Sequence, residues 1–204
     1  MMRPFPPEIL IDDYVGIDYF ISSPELDAWV RDTFLNERSP LYNPEHEHLL
    51  PAQIGYLWTN VPCAQKQRSV AGMAEYPFFR GNGWQKHRQM MQMQEWFGEV
   101  PNFIITLDAH YSNQASDVDF CALVEHELYH CAQKIDEHGE PMFNALTEQP
   151  IYCIRDHDVT EFVGVVRRYG IGSVMNGQAF VDAALAEPTI APADVAQMCG
   201  NCTR

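Results

Sequence analysis

The stretch Asp119-Phe120-Cys121-Ala122-Leu123-Val124-Glu125-His126-Glu127-Leu128-Tyr129-His130-Cys131 decides the fold. Phe120, Leu123, Val124, Leu128 and Cys131, continued by Ile135, recur at helical spacing. Residues 119 to about 135 therefore read as one half-buried helix, which Asp117 or Asp119 can cap. Upstream, Phe103-Ile104-Ile105-Thr106-Leu107-Asp108 is short, apolar and β-branched, and follows the breaker pair Pro101-Asn102. That pattern marks a strand. A strand leading through a short polar stretch into a half-buried helix is the nucleus of an α+β domain.

Working outward, Pro24 to Leu35 reads as a helix with Ser22 or Ser23 as its cap, Pro24 in its first turn and Leu26, Trp29, Val30 and Phe34 as its apolar stripe. Residues 36–51 read as loop, and 53–60 and 69–76 as strands. Periodicity leaves Lys86 to Phe97 open between helix and strand. A further helix is expected from about Asp156 to Tyr169, with acids at its start, Arg167 and Arg168 at its end and Gly170 beyond. A short Ala-rich helix near 178–186 precedes a Pro-containing tail. The expected fold is a compact α+β domain over residues 1–186, a small mixed or antiparallel sheet packed on the 119–135 helix, with a tail at 187–204.

Composition narrows the function classes. The chain has 204 residues, 28 acidic and 13 basic side chains and a net charge of −15. Its 46% hydrophobic and 20% charged content is that of a globular protein. No apolar run approaches the ~20 residues of a membrane span. Met1-Met2-Arg3-Pro4-Phe5-Pro6-Pro7 lacks the apolar core of a signal peptide. A cytoplasmic location with reduced cysteines is therefore expected. The acidic balance argues against a general nucleic-acid binder. Cys199-Gly-Asn-Cys202 is half of a zinc-ribbon pattern with no second half. It reads as a loose tail, with a disulfide or a fringe metal site as the alternative.

The chemistry lies in His126-Glu127-Leu128-Tyr129-His130, the His-Glu-x-x-His pattern of zinc peptidases. On a helix, positions i and i+4 lie about 40° apart, so His126 and His130 face the same way and can take two corners of a Zn2+ tetrahedron. Glu127 is turned by about 100°, beside the metal rather than on it, where a general base stands. In zincins an edge strand of the sheet pairs with the extended substrate, and Phe103–Asp108 is the candidate for that place. The expected reaction is amide hydrolysis with Glu127 as base. An oxyanion donor would come from Tyr111, Tyr152, Tyr169, His110 or Arg155.

A catalytic zinc site needs a third protein ligand. On an unbroken helix Asp136 would point about 120° away from His130. His110 follows the strand and could instead contact substrate, and His138 lies in a Gly/Pro loop. The best region is Asp156-His157-Asp158-Val159-Thr160-Glu161. His157 is favoured, because a Glu161 placed three residues after Asp158 is also explained by a capping box. Glu161 remains the alternative ligand, and Asp158 could orient an imidazole from behind. His46 and His48 alternate in Pro44-Glu45-His46-Glu47-His48 and could form a second metal site. No third ligand is visible there, so they read as solvated or hydrogen-bonded loop histidines.

Leu41-Tyr42-Asn43-Pro44-Glu45-His46-Glu47-His48-Leu49, Pro101–Asp108, the His126–His130 motif and His157-Asp158-x-x-Glu161-Phe162 running into Arg168-Tyr169-Gly170 together resemble the phage metallopeptidase family, found in tailed phages and prophages. The resemblance spans residues 40 to about 170. It implies a zincin-like fold, a peptidase activity on a protein or peptide substrate and, if the chain is phage-encoded, the host cytoplasm. More distantly, the chain is similar to compact zinc peptidases that cleave phage repressors, whose third ligand lies on the following helix. Three rival readings stand beside it. One is a phage-encoded zinc-binding interaction protein without peptidase activity. Another is deformylase-like hydrolysis with Cys153 as a ligand. The third is a DNA-repair zinc peptidase, which the charge and the missing zinc ribbon disfavour.

Overall fold

The computed structural model describes residues 2–12, 16, 17, 19–65, 68–159, 166, 170, 171 and 176–193. Its main sheet takes the order β1-β2-β6-β5, from Phe20–Ser22 (β1), Ile54–Thr59 (β2), Phe103–Asp108 (β6) and Gly72–Glu75 (β5). β2 and β6 run parallel, and β1 and β5 flank them antiparallel, so the sheet is mixed. A parallel neighbour requires a crossover of a dozen or more residues. Here it contains the small hairpin Ala64–Gln65 (β3) and Arg68–Ser69 (β4), then β5 and the helix Gly83–Phe97 (α2). That helix settles the segment whose periodicity was open. Asn82 and Gln85 form a capping box at its start, and Gly98 ends it at φ 79°.

Every residue of β2 is buried because both of its faces are covered. On one face Gly55 leaves room for the ring of Phe97, to which an added Cβ would come within 2.7 Å. On the other, Ile54, Tyr56 and Trp58 join Phe103, Ile105 and Leu107 in the core with Pro24–Phe34 (α1) and Asp117–His130 (α4). Trp29 of α1 and Trp58 of β2 bracket Phe120 of α4, at centroid distances of 5.6 and 6.0 Å. The α+β class with a small mixed sheet on the motif helix agrees with the sequence reading.

Three expectations are corrected. First, β6 lies between β2 and β5, so Phe103–Asp108 is an interior strand and β5 is the edge beside α4. Its fully buried apolar start, Phe103-Ile104-Ile105, suits a strand covered on both faces. Second, the motif helix is shorter at its C-terminal end and starts earlier. Ser116, not an aspartate, caps it by accepting from the Asp119 N–H, and it stops at His130 rather than near 135. Cys131 leaves helical geometry at φ −83°, ψ 88° and opens Cys131–Gln133 (β7), which pairs antiparallel with Tyr152–Ile154 (β8). Third, Pro44–Leu49, read as loop, is a 3-10 helix capped by Asn43.

By the density of internal contacts the chain divides into two compact units, residues 1–155 with 193–204, and residues 156–192. In the second, Gly177–Leu185 (α5) realises the expected Ala-rich helix. Residues 156–159 are not helical, and most of the helix expected over 156–169 lies outside the described residues, as does the Cys199/Cys202 pair. No helix among the described residues is long and apolar enough to cross a membrane.

The start of α4 is held by a side chain that the sequence did not single out. Arg3 is 8% exposed. It donates through Nη1 and Nη2 to the carbonyls of Ser112 and Ala115, at the end of the short helix Ala109–Gln114 (α3), at 2.9 and 2.8 Å. Its Nε meets Asp117 at 2.7 Å, and its guanidinium covers the rings of Phe5 and Phe120. The Asp117 side chain is 83% exposed, so the ion pair itself contributes little. The charged hydrogen bonds to the buried Ser112 carbonyl and the half-buried Ala115 carbonyl contribute more. Arg3→Ala should therefore lower stability by about 2 kcal/mol in urea unfolding. An unchanged midpoint would show that the clamp is dispensable.

Candidate metal centre

His126, Glu127 and His130 occupy the last two turns of α4. The His126 and His130 ring centroids are 5.0 Å apart, as i and i+4 side chains on one helix face must be. Glu127 is fully buried and His130 nearly so, because α4 packs into the core on one side and along β5 on another.

The end of the helix orients the second histidine. Ending α4 at His130 leaves its last carbonyls without intrahelical donors. The pairing of β7 with β8, Cys131 opposite Ile154, brings Arg155 alongside. The Arg155 N–H donates to the His130 carbonyl at 2.9 Å, and His130 Nδ1 lies 2.7 Å from the Arg155 carbonyl. A carbonyl can only accept, so Nδ1 carries the proton and Nε2 is the nitrogen with a lone pair that could ligate a metal. His157 follows Arg155 by two residues, and the chain can place it no more than about 7 Å from Arg155, Cα to Cα.

One nitrogen each from His126, His130 and His157 lie within 4.8 Å of one another. This is the one group of three or more metal-ligating side chains among the described residues. Three imidazoles, one with its tautomer set by a backbone carbonyl, suit a zinc-like divalent metal. Asp158 is not in the group, and Glu161 lies outside the described residues. Nor does the group include Asp136, His110, His138 or Cys153. Asp136 instead accepts the N–H groups of His138 and Glu140 in a turn. Cys153 is half-buried on β8, its thiol pKa raised by burial. Among the oxyanion candidates, Tyr152 sits on β8 edge-on to Phe103 at 5.2 Å, Tyr111 is half-buried on α3, and Tyr169 lies outside the described residues. Arg155 contributes through its backbone, a role that its side-chain chemistry did not announce.

His48 is hydrogen-bonded, as the sequence reading expected, whereas His46 fits neither reading. They sit on the 3-10 helix behind the motif. His46 is 1% exposed, packs its ring 4.6 Å from Tyr129, and finds no hydrogen-bond partner at either nitrogen among the described residues. Its Nε2 is 3.9 Å from Glu125 Oε1, beyond hydrogen-bond reach. Burial, with a smaller effect from His48, lowers its pKa from 6.5 to about 4. The ring is thus a neutral packing group rather than half of an ion pair. His48 Nε2 reaches the Cys131 carbonyl at 2.7 Å, immediately past the motif. Asn43 donates through Nδ2 to Glu125 Oε1 and to Tyr129 Oη, both at 2.8 Å. Asn43 and His48 therefore clamp the two turns that carry His126 and His130. The sequence contained these residues but nothing in their spacing pointed to a brace.

A His46 pKa held below its unfolded value has a defined sign. Above pH 6.5 the ring is neutral in both states and costs nothing. As pH falls toward about 4, the unfolded chain binds a proton that the folded chain refuses, and stability is lost. The loss should reach about 3 kcal/mol at most. Burial raises the carboxyl pKa of Glu125 and Glu75, which acts in the opposite sense, so the comparison must be with a variant. In metal-free protein, urea unfolding at pH 7 and pH 4.5 should show a smaller acid loss for His46→Leu than for the parent. Equal losses would refute the assignment.

The model of a family described as "Putative phage metallopeptidase" matches residues 27–185 of this chain. No curated protein and no solved structure matches it.

Proposed function

The chain belongs to the phage metallopeptidase family, and from that membership and the histidine group we propose that it is a zinc-dependent peptidase. One observation carries the reading: nitrogens of His126, His130 and His157 lie within 4.8 Å of one another, and the fully buried Glu127 adjoins the first of them in the chain. His126, His130 and His157 would hold the metal. A zinc ion held there would supply a Lewis acid that activates water near neutral pH. Glu127 accepts a proton at its carboxylate as water attacks the amide carbon, and hands it to the leaving nitrogen. The Arg155 carbonyl keeps the His130 imidazole in the ligating tautomer throughout. The substrate is a protein or peptide, and its extended backbone pairs with the outer edge of β5, the edge strand along α4.

Glu127→Gln should retain bound zinc and the fold while kcat on a cleavable peptide falls by about 10²–10⁴. Full activity in that variant would overturn the mechanism. Elemental analysis of His157→Ala should show metal affinity reduced at least about tenfold, with Glu161→Ala unaffected. Unchanged metal in His157→Ala would overturn the ligand set. A parent protein that holds zinc but cleaves nothing in a peptide library would return the metal to a purely structural role.

A further inference from the structure

Gly72 opens β5, opposite Leu107 of β6. Its backbone does not need glycine, because its φ lies outside the left-handed region. Its surroundings do. A Cβ added there would lie 2.9 Å from Oε1 of Glu127, 3.1 Å from Cγ of the same residue and 3.0 Å from Cδ1 of Leu123. Real Cβ atoms essentially never come within 3.0 Å of such neighbours. A glycine within a strand forgoes side-chain packing and often marks a close approach by another group. Here that group is the carboxylate of Glu127.

We propose that Gly72 is a positioning residue for the base. By lacking a side chain, it lets the Glu127 carboxylate lie directly against the backbone of the edge strand. The inference rests on Glu127 acting as the base. The carboxylate cannot give way cheaply, because Glu127 and Leu123 are both fully buried. A methyl group at position 72 must push Oε1 and Cγ aside, away from the strand along which an extended substrate would pair. Chemistry is sensitive to such shifts, since a displacement of about 1 Å can cost about 10²-fold in rate. The three atoms nearest to the added methyl belong to Glu127 and Leu123, and none to His126 or His130. Metal binding should therefore survive the change while turnover does not.

The test is Gly72→Ala, assayed for bound zinc, for KM and kcat on a peptide that the parent cleaves, and for thermal unfolding. Zinc content should match the parent, KM should stay within about twofold, and kcat should fall by about 10–100-fold. A purely structural defect would not separate kcat from metal content and KM in this way. The same substitution is then placed in a Glu127→Ala background, where Cγ and Oε1 are gone. Its cost in Tm should shrink by at least half there. If Gly72→Ala alone folds too poorly to assay, folding of the double variant supports the contact. Parent-level kcat in Gly72→Ala overturns the proposal. So does an equal Tm cost in both backgrounds, which would place the conflict at Leu123. A parent that cleaves no peptide refutes the peptidase reading, and the proposal with it. An active parent with an equally active Gly72→Ala refutes the proposal alone.

Discussion

The site depends on the way one helix stops. An α-helix that ends must find partners for its last carbonyls. Here the partner of the His130 carbonyl is the Arg155 N–H, and the carbonyl of the same residue takes the His130 Nδ1 proton. Two hydrogen bonds between two residues thus finish the helix, fix an imidazole tautomer and anchor the chain two residues before His157. The β7–β8 pair makes this possible by returning the chain to the end of α4 after the loop at 134–151. Had the helix run on to Ile135, Arg155 could not have paired there.

The support around this joint is shared among distant parts of the chain. Arg3 holds the start of α4 through the carbonyls at the end of α3, and Asn43 and His48 hold its last turns. The buried Glu127 carboxylate lies against Gly72 on the edge strand. The motif helix is therefore fixed from its start, from behind and from the strand beside it. Such over-determination suits a site whose side chains must keep one geometry.

Much of the scaffold was legible because its signals are local. The α1 helix shows in Pro24 and its apolar stripe, and β6 shows in an apolar β-branched run after Pro101-Asn102. The pair His126 and His130 shows because the helical repeat alone places i and i+4 together. Other features were illegible for equally physical reasons. The interior position of β6 depends on where β5 inserts, and no residue of β6 encodes that. Cys131 carries no helix-breaking signal, being neither Gly nor Pro, so its departure from helical geometry comes from the pull of the β8 pairing. His46 and His48 alternate like strand or loop ligands, yet one is packing and the other a brace.

The class of chemistry is written in the residues alone: two histidines and a glutamate on one half-buried helix, within a family pattern read over residues 40 to about 170 and matched by the family model over 27–185. Helical periodicity is a property of the backbone, so that much needs no tertiary information. The three-dimensional arrangement set which strand forms the edge, where the motif helix ends, which nitrogen of His130 carries the proton, and that His157 rather than Asp136 or Cys153 joins the histidine pair. Each of these turns on contacts between segments far apart in the chain, and those exist only once the sheet has set its order and β8 has come back to meet β7.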